Sequence, residues 1–124
     1  MQPFIIHPSS FMLSPMPGST LSNDPLSDKR IDFQFVNSPY GYEWSKDFDA
    51  VTTEATRGFD GRFGAGLPRK SDGQMLFLQH FIHHLAPPGM ADFVLANGSM
   101  SSNQSGEGDI RKKLIEADLV DCMN

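Results

Sequence analysis

Apolar positions along the chain fall into short runs separated by long polar stretches. Ile31-Asp32-Phe33-Gln34-Phe35-Val36 is β-branched and aromatic, and it stops at Asn37-Ser38-Pro39, which predicts a strand ending in a turn. Met75, Leu76, Leu78, Gln79, Ile82 and Leu85 recur at three- and four-residue spacing, with Phe77 and Phe81 between them. That spacing predicts a buried helix capped by Ser71-Asp72 and ended by Pro87-Pro88-Gly89. Ala91 to Ala96 reads as a second strand, closed by Asn97-Gly98 and followed by a Ser- and Gly-rich stretch. Asp109 to Glu116 reads as an amphipathic helix, with Ile110 and Leu114 one turn apart and Arg111, Lys112 and Lys113 toward solvent. Leu119 to Met123 starts a third strand. Residues 41–70, rich in Gly, Asp, Arg and Thr, are long for a structureless connection. They are therefore read as a functional loop with a helical turn around Ala50 to Arg57.

The resulting order, β-α-β-α-β, is that of an α/β fold with a parallel sheet, right-handed crossovers and ligands beyond the carboxyl ends of the strands. Asn37 and Asn97 lie at such ends. Residues 1–30 hold five of the nine prolines and no apolar periodicity, so they are read as an irregular lead-in before a folded part spanning 31–124.

Composition narrows the choices. At 124 residues and 13.7 kDa there is room for one domain. No apolar run approaches the roughly 18 residues of a membrane span, and no basic residue precedes Lys29 to open a secretory leader. The expected compartment is the cytoplasm. The single cysteine, Cys122, excludes a disulfide framework and a cysteine-based zinc site. Net charge is −5, with four basic and eight acidic side chains in residues 1–60 and six and seven in the rest. Neither half offers a phosphate-binding face, so if nucleic acid is the substrate, something else holds it.

The informative cluster is Asn37-Ser38-Pro39-Tyr40, directly after the first strand. Asn37 offers an amide oxygen, Ser38 a carbonyl aimed by the rigid ring of Pro39, and Tyr40 an aromatic face. Two acceptors and a stacking surface suit a planar ring bearing an exocyclic amine. The same four residues also make an ordinary turn, and on their own they do not decide between the two.

The cluster resembles the Asn-Pro-Pro-Tyr/Phe motif of amino-group methyltransferases that use S-adenosylmethionine. The flanks are similar to one branch of that family, the modification (M) subunit of type I restriction-modification systems. The similar segments run from Asp24-Pro25-Leu26-Ser27-Asp28-Lys29-Arg30-Ile31-Asp32-Phe33 to Tyr42-Glu43-Trp44-Ser45-Lys46-Asp47. They continue with Arg62-Phe63-Gly64-Ala65-Gly66-Leu67-Pro68-Arg69, Ser71-Asp72-Gly73-Gln74 and Phe93-Val94-Leu95-Ala96-Asn97-Gly98-Ser99. Ser105-Gly106-Glu107-Gly108-Asp109-Ile110-Arg111 and Glu116-Ala117-Asp118-Leu119-Val120 complete the set. In order, these cover about four-fifths of the chain.

The resemblance implies part of a doubly wound, mostly parallel S-adenosylmethionine-dependent methyltransferase sheet, and an adenine-N6 DNA methyltransferase activity. Asn37 and the Ser38 carbonyl would bind the target amine, Pro39 would stiffen the loop and Tyr40 would stack on the flipped adenine. The partners implied are DNA and the specificity and restriction subunits of a type I system; no membrane and no metal are expected. Two departures stand out. Ser38 occupies a position where the family usually has proline, and nothing before Ile31 resembles the glycine-rich loop that cradles the cofactor in these enzymes. Residues 31–124 then read as the target-base half of the catalytic domain, inactive alone. Two other readings stay open: a non-catalytic remnant that binds M or specificity subunits, and a methyltransferase acting on RNA or a protein glutamine.

Further candidates are minor. Arg62, Arg69 and Lys70 sit in the glycine-rich loop and are the candidates for DNA backbone contacts. His80, His83 and His84 have helical metal-ligand spacing, but no carboxylate or cysteine near them in sequence completes a set, so no metal is assigned. Gly106-Glu107-Gly108 could approach an anion or simply start a helix.

Overall fold

The computed structural model describes residues 19–24, 29–37, 41–95 and 106–117. Strand β1 (Ile31–Asn37) is followed by a 3-10 turn (Ser45–Asp47), helix α1 (Phe48–Ala55), a second 3-10 turn (Gly58–Asp60), helix α2 (Gln74–His83), strand β2 (Leu85–Val94) and helix α3 (Glu107–Glu116). β1 and β2 pair in parallel, so the expected α/β crossover is present. The third strand expected at Leu119 to Met123 lies outside the described residues. So do Asn97 and the polar stretch after it.

α2 is the centre of the core. Gln74 to Phe77 and Gln79 to Phe81 are all buried, so the helix is enclosed on nearly every side rather than amphipathic. On one side Leu76, Phe77 and Phe81 pack with Val36 of β1, Val51 of α1, Trp44, Phe63 and Leu21. On the other, Met75, Leu78 and Ile82 meet Ile110 and Leu114 of α3, with Ala65 between. The helix start is made by Asp72, whose Oδ1 accepts the Gln74 N–H at 3.1 Å, with Gly73 at the cap position. Ser71 takes no part in that cap.

Two boundaries depart from the sequence reading. α2 ends at His83, four residues before Pro87, and β2 begins at Leu85 rather than Ala91. Pro87-Pro88-Gly89 lies inside the strand, where Ile31 pairs with Leu85 but Phe33 already pairs with Met90. The extra residues form a bulge in which both prolines are exposed, so neither is asked for a ladder N–H. Gly89 is required there, because a Cβ would stand 2.7 Å from the Asp32 carbonyl and 3.0 Å from that of Ala86. The lead-in is also less irregular than expected in its described part. Ser19 to Asn23 closes a hydrogen-bonded turn, and Leu21 is fully buried in the core.

Candidate functional site

Asn37 is the last residue of β1, exposed and paired with Val94 at the carboxyl end of the parallel pair. Ser38, Pro39 and Tyr40 lie outside the described residues. The chain after them is held firmly. Gly41 takes φ 61°, a left-handed conformation that glycine adopts without strain. Tyr42 then packs edge-on against Phe77 at 5.3 Å, and its hydroxyl lies 3.3 Å from Asp47 Oδ2. The Tyr42 carbonyl accepts from Gly73 N–H at 2.7 Å, Trp44 N–H donates to the Lys70 carbonyl at 3.0 Å, and Trp44 Nε1–H donates to the Arg69 carbonyl at 2.8 Å. These bonds lace residues 42–44 to residues 69–73, so the chain leaving the Asn37 cluster runs beside Arg69 and Lys70.

The three cations proposed for DNA have different situations. Lys70 is exposed, with Nζ 3.9 Å above the Phe48 ring, which in turn stacks on Trp44. Arg69 is half-buried and lies between two carboxylates, 3.8 Å from Asp72 and 3.5 Å from Glu107. Glu107 is itself buried, so the Gly106-Glu107-Gly108 segment is a helix start docked on the loop. Arg62 must be removed from the set. Its guanidinium is buried, pairs with Glu54 through Nε to Oε2 at 2.8 Å and NH2 to Oε1 at 2.7 Å, and donates to the carbonyls of Thr20 and Leu21 at 2.9 Å each. No sequence spacing announces this pairing, because Glu54 comes from α1 and Arg62 from the loop that follows.

Arg62 also donates through NH1 to His80 Nδ1 at 3.2 Å, which requires an unprotonated acceptor there. Burial, opposed by Asp24 and joined by His84, Arg62 and His83, pushes His80 down to about 3. Burial acts to raise the Glu54 carboxyl, but the hydrogen bonds from Arg62 win and hold it below its ordinary value.

The carboxylate that the sequence reading lacked is Asp24, whose ligand atom lies within 4.8 Å of those of His80 and His84. The three are wired as a polar network. His84 spans two acceptors, with Nε2 2.6 Å from Asp24 Oδ2 and Nδ1 2.9 Å from the Lys29 carbonyl, while Arg62 takes the His80 lone pair. A metal ion would have to displace these bonds and sit beside a guanidinium already 3.9 Å from Asp24. The arrangement anchors the segment before β1 to the end of α2, reinforced by Ile31 N–H donating to the His84 carbonyl at 2.7 Å.

The parallel β-α-β unit, with Asn37 exposed at the carboxyl end of its first strand, places the chain among α/β proteins. The comparison with known sequences is more specific. The family model for N-6 DNA methylases matches residues 4–124, and the chain belongs to that family. It is 42% identical over 97 residues to the type I restriction enzyme HindI methylase subunit of Haemophilus influenzae, covering 77% of this chain and 20% of that one. It is 35% identical over 99 residues to the type I restriction enzyme MjaIX methylase subunit of Methanocaldococcus jannaschii, covering 79% of this chain and 17% of the relative. The chain thus spans about a fifth of the length of these curated relatives. Among the described residues, no helix is long and apolar enough to cross a membrane.

Proposed function

We propose that the chain forms the target-base side of an adenine-N6 DNA methylase subunit in a type I restriction-modification system. The observation that carries the reading is the placement of Asn37, exposed at the carboxyl end of a half-buried parallel strand, at the head of the Asn37-Ser38-Pro39-Tyr40 cluster. In this reading the Asn37 side-chain oxygen and the Ser38 carbonyl accept the two N6 hydrogens of an extruded adenine. That pulls the amine lone pair out of conjugation with the ring and toward the incoming methyl group. Pro39 limits the freedom of the loop, and Tyr40 stacks on the base. S-adenosylmethionine, when bound, supplies an electrophilic methyl group. No described residue of this chain is assigned to hold it, because the described turns after β1 are occupied by core contacts of Tyr42, Trp44 and Arg62. Positioning is the chain's own contribution.

We further infer that β1 and β2 belong to a doubly wound, mostly parallel sheet, and that Arg69 and Lys70 meet the DNA backbone. The specificity and restriction subunits would act as partners, which accords with the acidic balance of this chain. The test is Asn37→Ala in a complete methylase subunit. Methylation of a target adenine should fall about 100-fold or more, as for the loss of a preorganised polar contact to the reacting group, with the melting temperature unchanged. Retained methylation would refute the role. An assembly-only function predicts no change in methylation but altered binding to the specificity subunit.

A further inference from the structure

We infer that Phe48 is a positioning residue for Lys70, holding its ammonium ready for a backbone phosphate of the DNA. The inference rests on the family reading above and deepens the contact assigned there to Lys70. Phe48 opens α1 and is 37% exposed. Its ring stacks on Trp44, with centroids 5.8 Å apart and planes at 27°, and Lys70 Nζ stands 3.9 Å from the Phe48 ring centroid. Trp44 is buried, and it also holds the main chain on either side of Lys70. Its N–H donates to the Lys70 carbonyl at 3.0 Å and its Nε1–H to the Arg69 carbonyl at 2.8 Å. The backbone and the side chain of Lys70 are thus both tied to one pair of stacked rings.

What the ring does to the charge decides its use. A carboxylate partner orders a cation and cancels it, as Asp72 and Glu107 do to Arg69 and Glu54 does to Arg62. A neutral ring orders the ammonium and leaves its charge whole. Among the described residues, no carboxylate forms an ion pair with Lys70. Glu43, whose carboxyl feels Lys46 and Lys70, turns onto Ser45, whose N–H donates to Glu43 Oε1 at 3.0 Å. A lysine side chain gives up much rotamer freedom when a partner fixes it. Over Phe48 that ordering precedes DNA, so the phosphate contact loses less to it. An ammonium resting on a ring still has N–H donors for a strong anionic acceptor. Because Trp44 belongs to the chain leaving the Asn37 cluster, the fixed cation stands beside the edge assigned to the target strand.

The test has two arms. In the 124-residue chain, the ring current of Phe48 should move the NMR signals of the Lys70 Cε protons upfield of an ordinary lysine. Phe48→Leu should return them, and Phe48→Tyr should not. In a complete methylase subunit that contains this chain, assembled with its specificity subunit, binding of a fluorescein-labelled duplex is read by anisotropy across a salt series. Phe48→Leu should weaken binding about threefold, the size of an exposed cation–π contact, without lowering the log–log salt slope. Phe48→Tyr should bind as the parent does. Lys70→Ala should lower the slope by about 0.9, and adding Phe48→Leu to it should weaken binding no further. If Phe48→Leu melts early, Phe48→Met, which covers Trp44 without a ring, takes its place. The inference is overturned if the Lys70 signals are unshifted, if Lys70→Ala leaves the slope unchanged, or if the loss from Phe48→Leu is the same with and without Lys70. Methyl transfer is read separately. An assembly that shows this coupling but transfers no methyl group counts against the proposed function alone, and a methylating one without the coupling counts against this inference alone.

Discussion

Arg62 is the residue on which most of the polar interior converges. It holds Glu54 through its backbone N–H and through Nε and NH2 of the guanidinium, caps two carbonyls of the segment before β1 and donates to His80. Arg62→Met removes the partner of a largely buried carboxylate and leaves two carbonyls and one imidazole nitrogen without their donor. The chain should lose about 3 kcal/mol or more in urea unfolding, the range found when one member of a buried pair is deleted. Lysine should not rescue it, since an ammonium cannot reproduce the planar fork. Lys70→Ala, by contrast, should leave stability nearly unchanged. In a DNA-binding assembly it should reduce the steepness of the salt dependence by about 0.9 in log–log slope, as one lost phosphate contact does. The pH response belongs to the same network. His80 titrates near 3 in the folded chain against an ordinary value of 6.5, so between those values the unfolded state binds more protons than the folded one. Stability should therefore fall as pH drops from about 6.5 toward 3, and Glu54, also lowered, acts in the same direction. Urea midpoints measured across that range check the sign. His80→Leu should flatten the dependence while starting from a lower midpoint, because Arg62 loses an acceptor.

Among the elements, β2 shows how local signals and tertiary pairing compete. Pro87-Pro88-Gly89 is a strong helix stop and a strong turn signal, and both readings place the strand after it. The backbone instead returns to β1 directly after His84 and bulges around the prolines, because Ile31 N–H needs an acceptor and finds it in the His84 carbonyl. Gly89→Ala should cost about 1–3 kcal/mol, since the added carbon meets three backbone carbonyls, none of which can rotate away. Pro88→Ala should be close to neutral by the same measurement, as the ring is exposed and donates nothing to the ladder. The existence of β1, α2 and α3 was legible from apolar spacing. Their ends were not all legible, because pairing with β1 stops α2 at His83, ahead of the prolines, and because Glu107, drawn in by Arg69, starts α3 two residues early.

For the whole molecule, the sequence by itself determined the alternation of strand and helix, the position of Asn37 at a strand end and the family, since each depends on residue types in fixed order. It also determined the charge of −5, which predicts that the chain alone binds duplex DNA more weakly than about 10⁻⁴ M at physiological salt, measured by fluorescence anisotropy. Only the tertiary structure decided which charges are available. Arg62 looked like Arg69 and Lys70 in a basic, glycine-rich loop, and burial against Glu54 took it out of reach of any phosphate. It likewise decided that Asp24, more than fifty residues from His80, completes the histidine cluster, and that one face of the sheet is closed by α2 while Phe33 and Phe35 stay exposed on the other. The physical reason is common to all three. Periodicity and motif order report what neighbouring residues do along one segment, whereas pairing and burial depend on which segments meet, and that is settled by packing around α2.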